Sequence, residues 1–366
     1  MKYFDRIIFC HKDHRDFNYG GVPIVDNTNK RILQHFTADL VDIPLERIEI
    51  PAKRIPKYVE SIKSIFKNYK EKDYLAIENN ITTGDCLIFI SHSQFGTLIK
   101  RIRKNNKKIK IVVFFHNVEI NMSYGRLKYY RWPYCIVEML RDIRSELLVK
   151  HFADDVVLFN SREADLYKKI YRASRFHIVP MSLKDKYKEF SIRDYSNNTL
   201  KLLFVGTYFW GNIPGLKQLV SSVMPYVNAE LYIVGKDTNK IKEEVTLGNN
   251  VFVKGAVTDE ELAFYYKKCN IFVAPVLLGG GMKTKVAEAM MYGLPIIGTK
   301  EAFCGYEMDI SRLGFCSDTI SDYVNFIIDI DKERKKLSLM SQYSRKIFEE
   351  KYSEESAISK YEQILF

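Results

Sequence analysis

The chain has 366 residues, 46% of them hydrophobic and 28% charged, with a formal net charge of +11. That length is too great for one ordinary core and comfortable for two domains. The composition is that of a soluble globular protein, with no run near the ~18 uninterrupted apolar residues of a membrane span.

The start, MKYFDRIIFCHKDHRD, has a short apolar run broken by charge, which fits a first strand rather than a secretion signal and leads us to expect a cytoplasmic protein. Short stretches rich in β-branched and aromatic residues follow at Cys86 to Ser91, Ile111 to His116 and Val156 to Asn160, separated by longer periodic segments such as Ile55 to Tyr69 and Tyr134 to Lys150. Strands alternating with helices imply parallel pairing in a doubly wound sheet. The positive excess lies in this half: residues 1–196 carry 36 of the 56 Lys and Arg but only 24 of the 45 Asp and Glu. It concentrates in Lys53 to Lys72 and Lys100 to Lys110. In the first segment Ile55, Val59, Ile62, Phe66 and Tyr69 recur at helical spacing with lysines on the other face. Such a helix either lies on an anionic membrane surface or packs its apolar stripe inward. No nucleic-acid motif accompanies the charge.

Residues 191–199, SIRDYSNNT, are polar and aperiodic and are expected to link the domains. Beyond them KLLFVGT, AELYIVG, NVFVKG, NIFVAPV and PIIGT each read as a buried strand ending in a turn. Ile213 to Tyr226 looks helical, and Thr258 opens a helix with Glu261 at the capping-box position. The expected domains are 1–190, 200–345 and C-terminal helices in 346–366, the last helix a candidate to pack back on the first domain. Two such α/β domains, doubly wound and Rossmann-like, would face each other across a cleft that binds ligand. The six cysteines are far apart and lack neighbouring histidines at ligand spacing, which argues for reduced core residues and against zinc.

The segment GGGMKTKVAEAMMYG, Gly279 to Gly293, stands between NIFVAPV and PIIGT, so it should turn into a crossover helix with its glycines at the N-terminus. Free N–H groups and the helix dipole make that an anion site. Lys285 adds positive charge to the first turn, and Glu288 lies three residues on, on the same side. An acid beside a phosphate is repulsive unless the ligand offers hydroxyls there, and a carboxylate accepts two from a ribose diol. The pattern therefore asks for a nucleotide or nucleoside-diphosphate sugar. Leu277 occupies the first glycine position of a P-loop, and the dinucleotide fingerprint is missing after Gly206, so neither an ordinary kinase nor a nicotinamide dehydrogenase is supported.

These residues resemble the donor-binding signature of the retaining glycosyltransferases of family 4 (group 1), which have the two-domain GT-B fold. GGGMKTKVAEAMMYGLPII fits that signature throughout, and FVGTYFWGNIPGLKQLVSSVMP, HNVE at His116 to Glu119, FNSREADL and FHIVPMS are further similarities in the same order. The resemblance implies transfer of a sugar from a nucleoside-diphosphate sugar to a hydroxyl of a saccharide or polyprenyl-diphosphate-linked saccharide, with retained configuration, no metal and no cofactor. It implies that Gly206 and Thr207 approach the diphosphate, that Lys285 neutralises it with help from Lys283, and that Glu288 binds the ribose. The backbone of Gly280, Gly281, Met282 and Thr284 would line the donor, and Lys254, Gly255 and Val257 would lie near the base. The Gly20-Gly21 loop would close over the phosphate or acceptor. His116 would contact the transferred sugar, the alternative being a satisfied strand-end histidine. Asn212 and Ser161 read as helix caps. Many relatives carry E-x7-E, and here the first glutamate position is Gly280. An epimerase or hydrolase using the same donor, or a non-catalytic binder, stays open. Bacterial surface polysaccharide synthesis, with the protein cytoplasmic or peripheral on the inner membrane face, is the expected setting.

Overall fold

The computed structural model describes residues 3–13, 21–46, 54–130, 134–196, 199–209, 211–278 and 281–366. The chain forms two compact units, one of residues 1–181 with 357–366 and one of residues 182–356.

In the N-terminal unit the order is β1 (Arg6–Lys12), α1 (Gly21–Leu33), β2 (Leu40–Leu45), α2 (Arg54–Phe66), α3 (Glu71–Glu78), β3 (Cys86–Ser91), α4 (Gly96–Asn105), β4 (Lys110–Phe115), α5 (Glu119–Tyr130), α6 (Tyr134–Phe152), β5 (Asp155–Leu158), α7 (Ser161–Tyr171) and β6 (His177–Ile178). The strands form one parallel sheet in the order β2-β1-β3-β4-β5-β6. Every residue of β3, CLIFIS, is buried, as expected for a central parallel strand covered on both faces. Strand β2 was not legible in the sequence. From Asp42 to Leu45 it alternates exposed and buried residues, and it contains Pro44, which a strand at the sheet edge tolerates.

The C-terminal unit runs β7 (Leu200–Val205), α8 (Ile213–Ser222), β8 (Ala229–Val234), β9 (Val251–Gly255), α9 (Asp259–Lys268), β10 (Ile271–Ala274), α10 (Thr284–Met291), β11 (Ile296–Gly298), α11 (Ile310–Leu313), β12 (Gly314–Cys316), α12 (Tyr323–Lys332) and α13 (Lys335–Ile347). Its parallel sheet has the order β12-β11-β10-β7-β8-β9. Thr258 and Glu261 form the capping box of α9. The polar stretch 191–199 lies within this unit, where Arg193 donates to the carbonyls of Tyr266, Tyr292 and Gly293. The last helix, α14 (Glu354–Leu365), returns the chain to the N-terminal unit. There Lys110 donates to the Leu365 carbonyl at 2.8 Å and Phe366 stacks on Phe4 at 5.0 Å.

Helix α2 has an unusual orientation. Ser61 and Ser64 are buried, whereas Val59, Ile62 and Phe66 are 46%, 49% and 65% exposed. The apolar stripe therefore does not pack inward at these three positions. On α6, Ile136, Leu140 and Leu147 are also exposed, and the Arg144 guanidinium lies 5.1 Å from the Phe66 ring centre, which joins the two apolar faces. No helix among the described residues is long and apolar enough to cross a membrane.

Candidate functional site

In the C-terminal unit the predicted residues gather at the carboxyl ends of neighbouring strands. Gly206 follows β7 and donates to Val234; Gly235, at the end of β8, donates to Gly255 at 2.7 Å. A Cβ on Gly235 would sit 2.0 Å from the Gly206 oxygen, and Gly235 adopts φ +141, so only glycine lets these two turns touch. Gly255, φ +74, closes the same row, with Lys254 and Val257 flanking it. Gly215 in α8 abuts β10's exit just as tightly, its absent Cβ being 1.6 Å from the Pro275 oxygen. Asn212 stands at the N-cap position of α8 but does not cap it: its amide donates to the Thr207 carbonyl at 3.0 Å, fixing the turn after β7 instead.

Helix α10 starts at Thr284, after Gly281 in the left-handed region at φ +67, Met282, and Lys283 at the N-cap position. Gly280 lies outside the described residues. Lys283 donates to the Gly281 carbonyl at 2.9 Å and pairs with Glu301 at 2.8 Å. Lys285 is not loose: it reaches both oxygens of Glu288, at 3.0 and 2.8 Å. The i,i+3 spacing thus yields an ion pair at the helix start.

Two tyrosines that sequence reasoning missed hold the start of α10 and its Glu288 in place. Tyr266 on α9 donates to Glu288 at 2.9 Å, and its ring stacks on Tyr292 at 4.8 Å. Tyr306 donates to the Lys283 carbonyl at 2.8 Å and accepts from the Ala287 amide at 3.2 Å. Burial raises both phenols well above their ordinary value, reinforced by Glu288 at Tyr266 and by Tyr352 at Tyr306, so both stay protonated donors. Their places on α9 and after β11 leave no local sequence signal.

In the N-terminal unit Gly20 lies outside the described residues and Gly21 opens α1. His116, just past β4, is buried, and its Nε2 lies 3.0 Å from Asp26 Oδ1 and 3.1 Å from Ser91 Oγ. His92, just past β3, stacks on His116 with centroids 4.3 Å apart, and its Nε2 lies 3.7 Å from Asp26 Oδ2. Neither Asp26 nor His92 was selected from sequence, since they stand on elements 66 positions apart. The turn after His116 hangs on two buried carboxylates. Glu163 accepts from the Val118 amide and Glu146 from the Glu119 amide, each at 2.7 Å. The cap of α7 is Asn160, which accepts from the Glu163 amide, rather than Ser161.

Residues 199–312 match the family model of glycosyl transferases group 1. A 44.6 kDa protein of uncharacterised role from the cps region of Klebsiella pneumoniae is 25% identical over 262 residues, 68% of this chain and 63% of its own length. The structure is similar to sucrose-phosphate synthase from Thermosynechococcus elongatus (17% identity, 98% of both chains, TM-score 0.70). It is also similar to the lipopolysaccharide outer core galactosyltransferase WaaB (12%, 99% of both, 0.68) and to HepE of Anabaena in complex with UDP-glucose (12%, 98% of this chain and 99% of that one, 0.62). The whole chain thus shares the GT-B fold of these neighbours, and residues 199–312 are similar to glycosyl transferases group 1.

Proposed function

We propose that this glycosyltransferase moves a sugar from a nucleoside-diphosphate sugar to a hydroxyl of a saccharide or polyprenyl-diphosphate-linked saccharide, with retention and without a metal or cofactor. The observation that carries this reading is the Lys285–Glu288 pair at the start of α10, with Lys283 beside it. When a donor binds, Lys285 would exchange Glu288 for the diphosphate, and the freed Glu288 would accept the ribose diol while Tyr266 still holds one of its oxygens. Gly206, Thr207 and the Gly280 to Thr284 backbone would approach the diphosphate, with Lys254, Gly255 and Val257 near the base. His116 would contact the sugar, and the Gly20-Gly21 loop would close over phosphate or acceptor.

Breaking the anomeric C–O bond leaves negative charge on the diphosphate, and cations with a helix N-terminus stabilise that charge where it develops. The acceptor hydroxyl then attacks from the face the diphosphate leaves, losing its proton to a phosphate oxygen. The similarity to a protein of a cps region and to HepE, solved with UDP-glucose, supports a nucleotide-sugar donor and a role in surface polysaccharide synthesis. The exposed α2–α6 face, in the basic half of the chain, supports a cytoplasmic enzyme resting peripherally on an anionic membrane that presents the acceptor.

A panel of UDP-, GDP-, CDP- and ADP-sugars tests the reading, scored by thermal stabilisation and then by diphosphate release with and without acceptor. One sugar nucleotide should stabilise the protein and turn over only with acceptor. Stabilisation with acceptor-independent release would make it an epimerase or hydrolase, and stabilisation without turnover a binder.

A further inference from the structure

We infer that Asp26 is a positioning residue that fixes the His116 ring as its Nε2–H tautomer, leaving Nδ1 as an acceptor for a hydroxyl of the transferred sugar. The inference rests on the proposed sugar contact of His116 for its functional half, and on the hydrogen-bond geometry with the ionised state of Asp26 for the tautomer.

Asp26 lies on α1 and is buried to 3% exposure. Burial pushes its carboxyl up, but the hydrogen bond from His116 and the His92 imidazole 3.7 Å away outweigh this and hold it well below the usual carboxylate range. An ionised carboxylate only accepts. Oδ1 at 3.0 Å from His116 Nε2 therefore requires the proton on Nε2. Ser91 Oγ, 3.1 Å from the same nitrogen, donates its own proton to Asp26 Oδ1 and so offers His116 only a lone pair. Both neighbours of Nε2 demand the same tautomer. Phe114 and Phe159 stand edge-on to the ring at 5.4 and 5.9 Å, and His92 covers one face at 4.3 Å, so the ring is held against flipping. Nδ1 has no hydrogen-bond partner among the described residues, which leaves it for a ligand.

The same three residues place one ligand atom each within 4.8 Å of one another, as a metal site would. The imidazole planes, however, are only 14° from parallel and stacked. A metal ion bonds in the plane of each ring, and two planes so nearly parallel meet only far from both rings. The cluster is built to hold a proton, with one carboxylate serving two rings.

The test is long-range 1H–15N NMR of histidine-labelled protein, wild type and Asp26→Asn, together with steady-state kinetics. Wild type should show a protonated Nε2 and an unprotonated Nδ1 at His116. D26N keeps the shape but offers an amide, and should populate the Nδ1–H form and lower kcat about tenfold with a smaller change in donor KM. Ser91→Ala should keep the Nε2–H form. A wild-type Nδ1–H tautomer, or a D26N protein with unchanged tautomer, overturns the inference whatever the turnover. A shifted tautomer with unchanged kcat would remove the sugar contact and keep Asp26 as tautomer keeper only. Absence of any transfer by wild type, with the tautomer as expected, would instead count against the proposed function.

Discussion

The two units share a parallel α/β plan but hold their polar groups differently. In the C-terminal unit the charged side chains Lys283, Lys285, Glu288 and Glu301 are 16–35% exposed and come from one short stretch of chain, braced from outside it by Tyr266. In the N-terminal unit Asp26, His92, His116, Glu146 and Glu163 are all buried and come from α1, the exits of β3 and β4, α6 and α7. Partly exposed ion pairs can exchange partners with a ligand at small cost. Buried groups in a connected network hold one arrangement. The first suits exchange with the proposed anionic donor, the second keeping one side chain in a set state.

If the C-terminal site depends on close backbone approach, the largest effect should follow from disturbing that approach. Gly215→Ala puts a methyl 1.6 Å from the Pro275 carbonyl oxygen, which only backbone movement can relieve. We expect the C-terminal unit to lose about 3 kcal/mol in denaturant unfolding. Gly125→Ala, in α5 of the N-terminal unit with open space around it, should be neutral or stabilise by up to about 1 kcal/mol. Equal effects would sink the contrast between a tightly abutted turn and an open helix face.

Next in size are the exchangeable charges. Lys285→Ala and Glu288→Ala should each cut kcat/KM for sugar transfer at least tenfold, about 1.4 kcal/mol. Both should leave the melting temperature within a few degrees, because the pair is part-exposed. Wild-type turnover in both variants would refute the donor-site assignment.

The N-terminal network predicts a pH effect instead. Glu146 is fully buried, and that burial lifts its carboxyl from 4.5 to about 8 despite hydrogen bonds from Tyr171, the Glu119 amide and Ser93. A raised carboxyl favours the folded state below the unfolded value and loses that advantage as pH rises through the folded one. Stability should therefore fall between about pH 4.5 and pH 8. Glu146→Gln, neutral throughout, should flatten this decline when melting temperatures are compared across that range. Parallel curves for both proteins would show that Glu146 titrates normally.

The same difference explains what the sequence made legible. Strand-sized apolar runs such as CLIFI and the spacing of Lys285 and Glu288 are local patterns, and local patterns survive without an alignment. Asp26, His92, Tyr266 and Tyr306 acquire meaning only when sheet order brings distant strand ends together, and no spacing rule reports that. Edge strand β2 was hidden by Pro44, a residue that argues against a strand everywhere but at an edge. The caps shifted for a different reason: an asparagine side chain can serve the backbone on either side, and Asn212 turns back to Thr207 while Asn160 turns forward to Glu163.

The smallest expected effect concerns the outward face of α2, where periodicity was right and its direction was open. Val59, Ile62 and Phe66 face out while Ser61 and Ser64 take the buried side, so replacing the outward residues should scarcely change the fold. Ile62→Ser with Phe66→Ser should shift stability by no more than about 0.5 kcal/mol, as surface substitutions do. The pair should nevertheless weaken cosedimentation with vesicles containing anionic phospholipid several-fold, since it removes apolar surface available to a bilayer. Lys63→Gln, removing one exposed charge, should cost about 1 kcal/mol of binding at low salt and less at high salt. Full vesicle binding by the double serine variant would mean that the face meets something other than lipid. A large loss of stability would mean that these side chains pack against protein, and the contrast between an outward apolar face here and inward polar groups at Asp26 and Glu146 would fail with it.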